Sequence, residues 1–162
     1  EAMPLLNAKS KDTRYKIIIA GPMEPVGEEK YKEKILMLAE RYKKYIVFLG
    51  ELKEEEMGAF YSLLDVLVLP SVNSTEAFGM VQVEAMLMGV PVVAADLPGV
   101  RIPIQKTEMG KIVPVRNSDM LADAILEVVK NKQKYTKNNK LVQREFSIDK
   151  TVSSYDKILK SL

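Results

Sequence analysis

Short, continuous apolar runs recur along the chain at residues 17–20, 45–49, 66–69, 91–95 and 111–115. They are rich in β-branched side chains and bounded by Gly, Pro or Asp, a pattern that predicts strands buried on both faces. Between the runs, apolar positions fall at helical spacing. Tyr31, Ile35, Leu38 and Tyr42 form one stripe, and Met57, Phe60, Tyr61 and Leu64 form a second. Glu54, Glu55 and Glu56 fall in the first turn of that second helix, where the dipole favours anions. A further helix is predicted to start with Ser118 as its N-cap and to carry Leu121, Ala124, Ile125 and Val128 inward. Val152, Tyr155, Leu159 and Leu162 define a last amphipathic helix.

Strands alternating with helices imply right-handed βαβ units, hence an α/β fold with a doubly wound parallel sheet of at least five strands. Residues 1–162 read as one domain. In such sheets ligands bind beyond the carboxyl ends of the strands. That directs attention to four loops, residues 21–27, 50–53, 71–79 and 96–101.

The third of these loops leads into the most unusual segment. Residues 80–88 are predicted to be a helix stopped by Gly89 and Pro91, and it is apolar almost all round, interrupted only by Gln82 and Glu84. Such a helix belongs in an interior, where an ionised carboxylate needs a partner. Glu84 therefore either meets a lysine or arginine, emerges on an exposed strip, or serves a ligand. Glu76 by itself reads as a helix cap, Phe78 as core and Gly79 as a tight-turn residue. Taken together the residues suggest more. Backbone amides around Gly79, Met80 and Val81 open the helix and suit phosphate oxygens, with Glu76 to one side. Glu84 lies five residues further on, about 7.5 Å along the axis, where a carboxylate can accept hydrogen bonds from a vicinal diol. Sugar, pyrophosphate and ribose follow in that order in a nucleotide sugar.

Composition narrows the chemistry. Lys and Arg number 24 against 22 for Asp and Glu, so net charge supplies no reason to expect nucleic acid, and the basic stretch 130–140 reads as a solvated helix end. With neither cysteine nor histidine, disulfides, the usual zinc sites and a histidine base are excluded within these residues. No apolar run approaches bilayer-spanning length and the first residues do not read as a signal peptide; the opening on Glu1 suggests an excised piece.

Over PSVNSTEAFGMVQVEAMLMGVPVVAADLPGV the sequence resembles the retaining GT-B glycosyltransferases of the family-4 type (glycosyl transferases group 1), specifically their C-terminal, donor-binding domain. The features carrying the resemblance are two glutamates with seven residues between them, the Phe-Gly pair at the helix start, and the continuation EAM-x-x-G-x-PVVA. Similarity extends more weakly over the Gly50-Glu51-Leu52 loop and the strand after Gly110. The resemblance implies transfer of a hexose from an NDP-sugar to a saccharide or lipid-linked acceptor, without a metal and with retained configuration. It also implies a cytoplasmic or membrane-peripheral setting. By position, Glu76 resembles the catalytic-site glutamate that contacts donor-sugar hydroxyls, and Phe78, Gly79, Met80 and Val81 resemble the segment whose backbone meets sugar and diphosphate. Glu84 is similar to the glutamate that holds the ribose hydroxyls, Glu51 and Leu52 to the loop against the base, and Gly21 to the glycine near the phosphates.

There are departures from the family's pattern. Pro22 and Met23 follow Gly21 where a second glycine is common, and Ile102 stands where many members carry a glutamate. Members begin this domain with a strand and a loop-helix bearing an arginine and a lysine for the diphosphate. This sequence reads as starting inside that helix, with the first strand missing and Lys9 and Lys11 at its wrong end. The implied partners are an N-terminal acceptor-binding domain, the NDP-sugar and the acceptor, and the isolated piece is expected to be inactive. Other readings are a nucleotide-sugar epimerase or glycogen-synthase-like enzyme of the same architecture, or a non-catalytic nucleotide-binding module. A dehydrogenase is disfavoured because the Gly21 turn is not followed by G-x-G-x-x-G.

Overall fold

The computed structural model describes residues 2–10, 15–22, 29–73 and 75–161. Strands and helices alternate as α1 (Ala2–Lys9), β1 (Ile17–Ala20), α2 (Glu29–Arg41), β2 (Ile46–Gly50), α3 (Glu54–Ser62), β3 (Leu67–Leu69), α4 (Met80–Leu87), β4 (Val92–Ala95), α5 (Ile102–Thr107) and β5 (Gly110–Val113). Four helices close the chain: α6 (Ser118–Lys130), α7 (Lys132–Tyr135), α8 (Asn139–Phe146) and α9 (Ile148–Lys160). No helix among the described residues is long and apolar enough to cross a membrane.

All strand pairs are parallel, as the alternation predicts. They form two sheets rather than one, β1–β2 and β3–β4–β5. Among the described residues, β1, β2, β3 and β5 each keep one edge without a strand partner, and β4 alone is paired on both sides. Apolar periodicity marks a segment as a strand but does not specify its neighbour, which is why the two-sheet arrangement differs from the expectation.

The centre of the larger sheet is β4, buried at every residue. Alternate side chains of a strand point to opposite faces. Val92 and Ala94 accordingly join one core with Phe60, Tyr61, Val83, Met86, Ile104 and Val142, contributed by α3, α4, α5 and α8. Val93 joins a second core with Met3, Leu6, Ala122, Ile125 and Val128, contributed by α1 and α6. The result is helices on both faces of a parallel sheet, the doubly wound arrangement. Burial on both faces holds for β4 but not for β1 and β2, whose residues are partly or largely exposed.

Helix termini follow local chemistry. At the start of α3 the Lys53 amide donates to the Glu56 carboxylate at 2.8 Å, the glutamate half of a capping box. The cap of α6 is Asn117, not Ser118: the Met120 amide donates to Asn117 Oδ1 at 2.9 Å. An asparagine one residue earlier serves the same amides, so the one-residue shift costs the sequence reading little. Lys9 reaches Asp123 at 2.6 Å and ties α1 to α6, while Lys11 lies outside the described residues. Helix α9 has no buried residue, so the apolar stripe Val152, Tyr155 and Leu159 stands exposed; Leu162 lies outside the described residues.

Behind β5 a polar lock joins three elements. Lys111 of β5 pairs with Glu127 of α6, which also accepts the Tyr135 hydroxyl of α7 at 2.5 Å. The Lys111 hydrogen bond first, then that of Tyr135, hold Glu127 below its ordinary 4.5. Tyr135 is pushed up to about 12, chiefly by its bond to Glu127 and then by burial. A group whose pKa rises on folding contributes stability that is complete below its unfolded value and lost as pH climbs through the folded one. Tyr135→Phe is therefore expected to flatten the fall in stability between pH 10.0 and about 12, read from denaturant melts across that window. An unchanged slope would remove Tyr135 from the lock.

Candidate functional site

The candidate residues follow the carboxyl ends of strands: Gly21 after β1, Glu51 and Leu52 after β2, and residues 76–84 in the turn after β3 and in α4. At the end of β1, the Gly21 amide donates to the Gly50 carbonyl at the end of β2, 2.8 Å away. This bond joins the Gly21 turn to the Glu51–Leu52 loop. Glu51 is exposed, and Leu52 packs against the core that holds Phe60 and Tyr61. Residues 23–28, in the remainder of the Gly21 loop, lie outside the described residues.

After β3 the chain runs to Gly79, the N-cap of α4, in a left-handed conformation at φ 77°. Glycine is called for here by its backbone conformation, and any Cβ would in addition require the Leu69 side chain to shift. The conformation is one that side chains rarely adopt, and a Cβ would lie 2.4 Å from Leu69 Cδ2. No side chain caps α4, so Glu76 does not serve as its cap; it is half-buried and forms no hydrogen bond or ion pair among the described residues. The first amides of a helix have no intrahelical acceptor, and here Met80 (60% exposed) and Val81 (38% exposed) leave that end open. Phe78 is half-buried, its ring set edge-on to Phe146 at 6.0 Å.

The apolar composition of α4 predicts a fully interior helix, yet the structure buries one face only. Gln82, Val83, Ala85 and Met86 point into the core, while Met80, Val81, Glu84 and Met88 are exposed. Glu84 emerges on that strip, and its partner is neither lysine nor arginine. The Tyr61 hydroxyl donates to Glu84 Oε2 at 2.6 Å. Tyr61 is 3% exposed. Burial first, then the hydrogen bond to Glu84 and its charge, push the phenol well above its usual range, so it stays a donor.

Two residues of functional interest escape a reading by motif. Tyr61 reads only as part of the α3 stripe, and nothing in its spacing reveals a partner 23 positions away. The other, Gln82, is wholly buried and donates from Nε2 to both the Phe78 carbonyl and the Val100 carbonyl, each at 3.0 Å. It clamps the turn before α4 to the loop after β4. Gly99 completes the contact, since a Cβ there would lie 1.7 Å from the Ala77 carbonyl oxygen. The only sign in the sequence is a glutamine on an otherwise apolar helix. In the same loop Arg101 Nε pairs with Asp96 at 3.0 Å. Among the described residues, no group of three or more acidic side chains converges as a metal cluster would. The shallow depression lined by Glu108, Gly110, Lys134 and Lys137 lies at the start of β5, the opposite end of the sheet.

Parallel strands wrapped by helices, with a helix N-terminus and a carboxylate beyond the carboxyl edge, match the domain architecture of GT-B glycosyltransferases. Residues 1–144 match the family described as glycosyl transferases group 1, and the chain belongs to that family. A phosphatidyl-myo-inositol mannosyltransferase of Mycobacterium leprae is 39% identical over 87 residues, covering 54% of this chain and 23% of that protein. A D-inositol 3-phosphate glycosyltransferase of Corynebacterium glutamicum is 32% identical over 127 residues, 77% of this chain and 29% of that protein. Among solved structures, Anabaena HepE in complex with UDP and glucose superposes with a TM-score of 0.81 at 23% identity, over 99% of this chain and 44% of that one. A sucrose-phosphate synthase of Thermosynechococcus elongatus gives 0.77 at 25% identity, over 99% and 43%. The chain thus spans less than a third of the curated relatives and less than half of the solved chains it matches.

The Gln82 clamp has a measurable cost of removal. Gln82→Leu leaves the buried Val100 carbonyl and the part-buried Phe78 carbonyl without this donor while removing the unpartnered Gln82 Oε1, and a buried orphaned group costs about 1–3 kcal/mol. A net loss of about 2 kcal/mol is expected in denaturant melts. A leucine variant as stable as the parent would refute the clamp.

Proposed function

We propose that this chain is the donor-binding domain of a family-4-type glycosyltransferase that transfers a hexose from an NDP-sugar, with retained anomeric configuration, to a saccharide or lipid-linked acceptor. The observation that carries the reading is the disposition of α4. Its open amide end at Gly79 and the Glu84 carboxylate on its exposed face provide, on one rigid element, a place for phosphate oxygens and a place for a diol. A carboxylate there would repel a phosphate but suits ribose hydroxyls. HepE, whose fold is shared, has been solved with UDP-glucose, and the named relatives are glycosyltransferases.

In this reading Glu84 accepts hydrogen bonds from the ribose, and the amides at Gly79, Met80 and Val81 face the diphosphate as charge develops on it. Fixed dipoles of this kind need no reorganisation during the reaction. Glu76 contacts hydroxyls of the departing sugar, Phe78 helps shape the turn, and Gly21, Glu51 and Leu52 border the phosphates and base. Its partners in this reading are an N-terminal acceptor-binding domain and the acceptor. No metal is assigned.

Two substitutions in the full-length protein test the assignment. Glu84→Ala is expected to weaken nucleoside-diphosphate binding by about 10- to 100-fold in calorimetry, the value of hydrogen bonds to a charged group, with the fold intact. Unchanged affinity would sink the ribose role. Glu76→Ala is expected to shift the ratio of kcat/KM between donor sugars by at least about 10-fold, and wild-type selectivity would count against its role.

A further inference from the structure

Glu84 is a long side chain on an exposed helix face, and left alone it would sample several rotamers, freedom that must be given up on binding a ligand. The structure supplies a device that removes this freedom beforehand. Tyr61 is fixed within the core, its ring tilted against Phe60 at a centroid distance of 5.4 Å, and only its hydroxyl reaches out to Glu84. We propose that Tyr61 is a positioning residue for nucleotide recognition: by donating to Glu84 Oε2 it holds the carboxylate in the orientation that receives both ribose hydroxyls. This rests on the ribose role proposed for Glu84.

The chemistry of the pair favours this role over simple satisfaction of a buried hydroxyl. A carboxylate offers about four acceptor sites, and a phenol uses one. Oε1 and a further lone pair of Oε2 remain for two hydroxyl donors. A lysine or arginine in the same place would offer several donors and a full charge, competing with the diol for the same lone pairs. A neutral, single-proton donor fixes the carboxylate while leaving its negative charge for the ligand. Tyr61 also retains its proton far beyond neutral pH, so the restraint does not switch off in the working range. The helix that carries it, α3, follows the Glu51–Leu52 loop directly, its first turn fastened by the Lys53 amide donating to the Glu56 carboxylate. One rigid helix thus connects the loop assigned to the base with the restraint on the ribose glutamate.

The test uses the full-length protein, with UDP, GDP and ADP as probes alongside their 2′-deoxy and 3′-deoxy counterparts. For the diphosphate that binds most tightly, the wild type is expected to disfavour each deoxy form by about 10-fold, the worth of a hydrogen bond to a charged group. Tyr61→Phe keeps the ring and is expected to lower affinity for the ribonucleotide by about 5- to 10-fold while shrinking the deoxy penalty to about 3-fold or less. Glu84→Ala should abolish the penalty. The double variant should bind no more weakly than Glu84→Ala alone, because Tyr61 acts only through Glu84. If Glu84→Ala abolishes the penalty and Tyr61→Phe leaves it at the wild-type value, the positioning role is overturned and the ribose role stands, whatever happens to Tm. If Glu84→Ala keeps the penalty, or no diphosphate binds, the ribose role falls and the positioning role with it.

Discussion

Everything in this fold is referred to β4. Its four residues are all buried, with Val92 and Ala94 committed to one core and Val93 to the other, and it is hydrogen-bonded on both sides by β3 and β5. A strand with no exposed side chain and no free edge has no freedom to slip, because a shift of one residue would exchange the two cores. Helix α4 on one side and α6 on the other pack against it, α5 packs against its neighbour β5, and α3 and α1 are located by packing on α4 and α6. The carboxyl ends of β3 and β4 are thereby held level, and the loops that leave them must meet.

That meeting is built from small parts. Gly99 lets the loop after β4 touch the Ala77 carbonyl, Gly79 lets the preceding turn pass Leu69, and the Gln82 amide joins the two. Gln82 and Gly99 act here through position rather than through contact with a ligand. They set where the first amides of α4 stand, and through the helix they set where Glu84 stands. Precision at the exposed end of α4 is derived from packing at its buried face, which is how a site on loops gains the rigidity of the sheet beneath it.

Much of this was legible in the sequence, for identifiable reasons. Strand and helix type followed from period, and each apolar run corresponds to a strand within a residue or two. The anomaly of Glu84 followed from the apolar residues around it, and Gly79 from its place before a helix. What escaped was what depends on neighbours distant in sequence. The pairing of strands into two sheets is one such feature. The hydroxyl of Tyr61 meeting Glu84 is another, and the double duty of Gln82 a third. The exposed face of α4 escaped for a different reason: Met80, Val81 and Met88 have the composition of a core, and composition alone does not separate a buried helix from one that lines an open face. Asn117 in place of Ser118 is a boundary shift of one residue between two equally good caps.

Only β4 among the strands of the described residues is paired on both sides, and this gives the molecule an uneven dynamic character. Amides along β4 are engaged from both neighbours and shielded by two cores, so their exchange with solvent requires the larger sheet to come apart. Half of the backbone groups on each of β1, β2, β3 and β5 face an edge with no strand partner among the described residues, and β1 and β2 are only partly covered. Hydrogen exchange would therefore register a gradient, slow at β4 and faster toward β1 and β2. The loop through Gly99 leaves β4, the strand that opens least, and touches the Ala77 carbonyl in the turn that faces the phosphates in the proposed reading, whereas the Glu51–Leu52 loop leaves β2, a strand only partly covered.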